Sequence, residues 1–172
     1  LYPDEITEDM IAAVESEEKI LPYLDIPIQH CNDTVLEKMN RRGDKAYLTE
    51  LFAKLRARIP GLVLRTSIIA GLPYEDEAAF EEMCAFLREQ KFERAGVFAY
   101  SPEEGTRAAE MGCRADEDEA ARRVELLVDI QSRVMDEMNE SWLGDTVEVL
   151  CEGFDGQAQM YVGRSYADSP DV

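Results

Sequence analysis

Three short segments of this chain carry residue types from which a binding site could be assembled: Gln29-His30-Cys31, Ala70-Gly71-Leu72-Pro73 and Tyr100-Ser101. Together they offer amide, imidazole, hydroxyl and backbone groups and no carboxylate pair, a set suited to a polar, partly aromatic ligand such as a nucleoside. The middle segment closes the run LVLRTSIIAGLPYE, an apolar, β-branched stretch that ends in Gly-Leu-Pro and leads into a helix. In open α/β sheets and barrels, ligands sit at the carboxyl ends of strands, where a small, bent turn lets a cofactor approach the backbone.

Each residue also has a plainer reading. His30 is the only histidine, and a lone histidine beside a lone cysteine is more often a capping or packing residue than a metal ligand. Gly71 can simply permit a turn. Phe98 and Tyr100 alternate with Val97 and Ala99, so one face of that stretch is core whatever the other does. Arg65 lies inside an apolar run where an unpaired guanidinium is costly, so it either pairs with a carboxylate or points into a polar pocket. Arg41-Arg42 and the acidic stretch from Asp116 read as solvated.

The elements that would position these groups alternate. Leu1-Tyr2-Pro3 reads as the tail of a strand, and Thr7 caps a helix with Met10, Ile11 and Val14 on its apolar side. A short strand is expected over residues 23–29, with irregular edges at Pro22 and Pro27, then a short helix from Asp33 that stops by Gly43. Leu48, Leu51, Phe52, Leu55 and Ile59 recur at helical spacing before the Leu62 run, and Phe80, Met83, Cys84 and Leu87 do so after it. GVFAY is the next strand. Such alternation implies parallel strands joined by right-handed crossovers, with too few strands for a closed eight-stranded barrel. A long charged helix is expected from about Asp116 to Trp142, with a stripe of Ala120, Val124, Leu127, Val134 and Met138. A small β module then follows: a strand over residues 146–151, a turn over 153–156 and a returning strand over 160–164.

Composition narrows the function classes. The 172 residues carry 37 Asp and Glu against 18 Lys and Arg, a formal net charge of −19, which argues against nucleic acid as the main partner and favours a basic one. The four cysteines, Cys31, Cys84, Cys113 and Cys151, show no Cys-x-x-Cys spacing, so reduced thiols in a cytoplasmic protein are expected and a disulfide framework is not. No apolar run approaches membrane-spanning length. The abrupt Leu-Tyr-Pro opening and the β module of only two strands read as a piece of a longer protein.

The strings YLDIPIQH, MNRRG, LRTSIIAGLPYEDEAAFEE and GVFAYSPEEGTRAAEM, in this order and spacing, resemble the radical S-adenosylmethionine methylthiotransferases. The tail GDTVEVLCEG with YVGRSYADSPDV is similar to the opening of the TRAM β-barrel that ends those enzymes. The resemblance implies an α/β fold: the second half of a radical-SAM partial TIM barrel over residues 1–142, parallel strands with outer helices, followed by the truncated beginning of a TRAM domain over residues 143–172. Two branches exist, one modifying adenosine in transfer RNA and one an aspartate on a small-subunit ribosomal protein. DIPIQH and VGRSYADSPDV look like the ribosomal-protein branch, and the tail agrees: from Leu143 to Val172 it carries six acidic residues and one basic, a poor surface for RNA and a suitable one for a basic ribosomal protein.

By this resemblance the parent enzyme uses S-adenosylmethionine and two 4Fe-4S clusters. Gln29 and His30 would lie near the methionine or ribose end, Ile68, Gly71 and Pro73 would line the adenosyl group, Phe98, Tyr100 and Ser101 would flank adenine, and Arg65 would reach a carboxylate or hydroxyl. Arg164, Tyr166 and Asp168 would contact the protein substrate. The chain departs from the family in lacking the Cys-x-x-x-Cys-x-x-Cys loop, so no cluster and no catalytic residue is expected within it. A transfer-RNA modifying relative and a non-catalytic acidic interaction module are the alternatives.

Overall fold

The computed structural model describes residues 1–168; residues 169–172, the end of the expected terminal module, lie outside the described residues. Helices begin where a short oxygen side chain can accept an otherwise unpaired N–H. Thr7, Asn32, Asp44, Asp76, Thr106 and Asp116 each do this for α1 (Glu8–Ser16), α2 (Asp33–Lys38), α3 (Lys45–Arg58), α4 (Glu77–Gln90), α5 (Arg107–Glu110) and α6 (Glu117–Ser141). Between them run β1 (Tyr23–Asp25), β2 (Val63–Ala70) and β3 (Arg94–Ala99), all parallel in the order β1-β2-β3.

The first strand is shorter than the sequence suggests. Pro27 has no N–H to give to a ladder, so regular pairing stops at Asp25 and resumes only as a single bridge between Gln29 and Ile68. Leu1-Tyr2-Pro3 does not form a strand: Pro3–Glu5 is a 3₁₀ turn, for which the fixed proline φ is preset, and the terminal ammonium donates to the Asp25 carbonyl. Arg41 is not a solvated corner either, since its Nη1 donates to the Pro27 carbonyl and its guanidinium lies over the Tyr2 ring.

Alternation along the strands sorts the two faces of the sheet. Ile26, Ile28, Leu64, Ile68 and Ala70 are buried in the core with Phe52, Leu55, Phe86, Leu87 and Phe92, and α6 adds Leu127 and Ile130 to the same cluster. Phe92 meets Phe52 edge-on at 5.1 Å, the packing that ring quadrupoles favour. The other face, bearing Arg65, Ser67, Gly96 and Phe98, is only partly covered.

On α6 the buried positions are Ala120, Arg123, Leu127, Ile130, Gln131 and Val134, so the expected stripe is met at three positions and the acidic helix is not wholly a solvated face. Beyond it, β4 (Leu150–Asp155) and β5 (Met160–Arg164) pair antiparallel. The first of these strands begins later than expected; Gly153 lies inside it, because the Asp155 carboxylate accepts the N–H groups of Gln157 and Ala158 and so sets the turn after Asp155. Among the described residues no helix is long and apolar enough to cross a membrane.

Candidate functional site

Parallel pairing brings the three chemistry-bearing segments to one rim. Gln29 N–H donates to the Ser67 carbonyl and its own carbonyl accepts from Ile69, while Tyr100 N–H donates to Ala70, so the exits of all three strands are tied by backbone hydrogen bonds. The rim is strained. Gln29 at φ +68 and Tyr74 at φ +66 occupy the left-handed region that side chains disfavour, a condition that clusters at ligand-binding turns. Phe98 is 54% exposed, and its ring lies over Gly96, where an added Cβ would meet it at 3.1 Å. The Tyr100 hydroxyl is buried and has no hydrogen-bond partner among the described residues.

Arg65 resolves both of the sequence alternatives. Its Nη1 donates to Asp25 Oδ2 at 2.7 Å across the β1-β2 register, and the residue also lines a cavity of about 330 Å³ with Arg94, Gly96 and Asp168. Ser101 is exposed, and Pro73 is buried in the turn. Ile68 has its side chain fully buried on the helix side, so this position can meet a ligand at the rim only through its backbone. His30 is also buried: its Nδ1 accepts the Asn32 N–H, which places the ring proton on Nε2, 3.5 Å from Glu75 Oε2.

Glu75 is the buried carboxylate of this rim that sequence reasoning passed over. It is 5% exposed, and its Oε2 accepts from the N–H groups of Gly71 at 3.0 Å and Leu72 at 3.4 Å, while Oε1 receives Arg123 Nη1 at 2.8 Å. Burial pushes this carboxyl up, but His30, Arg123 and the Gly71 N–H together hold it below the usual range. The available signal was a carboxylate four residues past a strand-ending glycine, within reach of that turn's own N–H groups. Arg123, 48 residues further on, carried no local signal.

Arg164, Tyr166 and Asp168 are not at this rim. Asp168 pairs with Arg94 at 2.8 Å, at the start of β3, and the Tyr166 hydroxyl donates to the Gly61 carbonyl just before β2. Arg164 pairs with Glu152 across the hairpin. Tyr166 and Asp168 thus fasten the terminal segment to the amino ends of the strands, opposite the rim, with Tyr166 stacked on Trp142.

The donor groups present suit a nucleoside and do not suit an iron–sulfur cluster. The cluster needs several converging thiolates. Cys31 and Cys84 are buried, Cys113 and Cys151 are exposed, and no three His, Cys, Asp or Glu among the described residues form a metal-holding group. Burial pushes the Cys31 thiol up to about 12, far from a ready thiolate.

Comparison with known proteins gives a consistent result. No protein-family model matches the chain. The chain is 46% identical over 172 residues to the ribosomal protein uS12 methylthiotransferase RimO of Pelotomaculum thermopropionicum, 42% over 171 residues to that of Caldanaerobacter subterraneus and 44% over 173 residues to that of Geotalea uraniireducens. Each alignment takes in 99% of this chain but only 38–39% of the relative, so the chain spans well under half the length of these proteins. Among solved structures, coproporphyrinogen III oxidase (HemN) from Escherichia coli, described as a radical SAM enzyme, is similar with a TM-score of 0.65 at 19% identity, over 78% of this chain and 31% of that one.

Proposed function

We propose, from the premise that this chain belongs to the RimO-type radical S-adenosylmethionine methylthiotransferases, that it forms one wall of the cofactor site in such an enzyme. The observation that carries this reading is the likeness over 99% of the chain, which takes in all three strand-end segments. In the whole enzyme S-adenosylmethionine supplies a radical, and a methylthio group is placed on the β-carbon of an aspartate in the small-subunit ribosomal protein uS12. The cysteines that hold the two 4Fe-4S clusters belong to other parts of that enzyme.

The work of this chain is binding and orientation. Phe98 offers an exposed aromatic face for adenine, and the unpartnered Tyr100 hydroxyl offers a buried hydrogen bond to a nucleoside. The Gln29 side-chain amide suits the ribose or methionine end, and the Arg65 guanidinium, held by Asp25 through one nitrogen, keeps donors for a carboxylate. Residues 1–142 would be the later part of the radical-SAM domain, and residues 143–172 the start of a TRAM module. The acidic balance of that module favours a basic protein over transfer RNA.

Full-length enzyme reconstituted with iron and sulfide tests the reading: a brown protein that cleaves S-adenosylmethionine under reductant is expected. A colourless parent without cleavage would favour an acidic interaction module instead.

A further inference from the structure

The turn from Gly71 to Glu75 is held from outside by a single later segment of the chain, the α5–α6 linker and the first two turns of α6. The Cys113 carbonyl accepts the N–H of Tyr74, the residue at φ +66. Ala120 packs so closely on Gly71, at φ +83, that an added Cβ would stand 2.8 Å from the Ala120 Cβ. Arg123 then reaches into the turn: Nη1 donates to both the Glu75 carboxylate and the Glu75 carbonyl at 2.8 Å, while Nε is fixed by Glu119 at 2.7 Å. The Arg123 side chain is 7% exposed and that of Glu75 1%.

This is more than a local ion pair. Glu75 spends its other oxygen on the Gly71 and Leu72 N–H groups, so the orientation of those peptides follows the carboxylate, and the carboxylate follows Arg123. Without the guanidinium, Glu75 would be a buried charge with a weaker set of donors, and the turn would lose the partner that fixes its far side. Ala120 and Arg123 lie on the one helix that runs on toward the terminal hairpin.

We infer that Arg123 is a positioning residue for the cofactor rim: acting through Glu75, it sets the Gly71-Leu72 turn and so couples the seating of α6 to the affinity for the adenosyl ligand. The inference rests on the cofactor reading above. It predicts a selective effect, because a pre-set turn removes an ordering cost from binding.

The test compares Arg123→Met and Arg123→Lys with wild type in the full-length reconstituted enzyme, by calorimetric titration with S-adenosylhomocysteine, iron content and thermal unfolding. Arg123→Met is expected to weaken binding about tenfold at unchanged iron content, and to raise KM for S-adenosylmethionine more than it lowers kcat. Arg123→Lys, which keeps the charge but loses the fork, should fall between the two and carries the test if the Met variant fails to fold. Lower thermal stability with unchanged affinity in both variants would overturn the inference and leave the cofactor reading intact. A wild-type enzyme that binds no S-adenosylhomocysteine would overturn both.

Discussion

At the scale of single residues, the buried Glu75 carboxylate joins the Gly71-Leu72 turn to α6. It accepts hydrogen bonds from three positions, of which only the Gly71 and Leu72 N–H groups are near in sequence, and His30 Nε2 stands 3.5 Å away. That is why the role of Glu75 was half legible. The strand-ending Gly-Leu-Pro pointed to the turn, but a carboxylate stabilised by an arginine 48 positions away leaves no periodic trace. Arg65 was legible for the opposite reason: a guanidinium inside an apolar strand demands a partner, and its register neighbour Asp25 supplies one. Because the Glu75 pKa is depressed in the fold relative to the ordinary 4.5, its stabilising contribution is complete above about that pH and is lost as pH falls through the lower folded value. Glu75→Gln should therefore destabilise the protein by about 3 kcal/mol at neutral pH, because Arg123 loses its one buried counter-charge and keeps only the more exposed Glu119 and Glu77. The gap to wild type should narrow in urea unfolding carried below pH 4.5. A gap constant with pH would mean that the carboxylate is not ionised in the fold.

At the scale of elements, most of the fold could be read because the longer helices carry both a cap and an apolar period, and the two agree; the four-residue α5, with a cap but no buried position, carried no such period. Asp44 before Leu48, Leu51, Phe52 and Leu55 is one such case, and Asp76 before Phe80, Met83 and Leu87 is another. The readings fail where chemistry of one residue overrides pattern: Pro27 cuts β1, Pro3 turns the start of the chain into a 3₁₀ turn, and Asp155 moves the hairpin turn. The α6 stripe was displaced because Arg123 and Gln131, polar by type, are buried by pairing, Gln131 by donating to the Phe92 carbonyl. The contact that seats α6 on the rim turn is Gly71 against Ala120. Gly71→Ala would carry both an unfavourable positive φ and a Cβ 2.8 Å from Ala120, and should cost at least about 1 kcal/mol from the backbone alone. Thermal unfolding checks it, and a variant as stable as wild type would show that α6 does not seat on the turn as described.

At the scale of the whole molecule, the two ends of the strands have separate tasks. The carboxyl ends gather Gln29, Gly71, Tyr100 and the exposed Phe98 on one rim, while the amino ends receive the terminal segment through Asp168 on Arg94 and Tyr166 on Gly61. Sequence order alone did not show this attachment: Tyr166 and Asp168, which the resemblance assigns to the protein substrate, also tie the terminal segment to the sheet, while Arg164 stays within the hairpin on Glu152. The acidic charge, −19 over the chain, belongs to this scale as well and bears on the choice of partner. The most direct measurement offers the full-length reconstituted enzyme purified uS12 and, in parallel, unmodified transfer RNA, with S-adenosylmethionine, sulfide and reductant, and reads both products by mass spectrometry. The account predicts one added methylthio group on an aspartate of uS12 and none on the RNA; a methylthiolated adenosine with unmodified uS12 would contradict it.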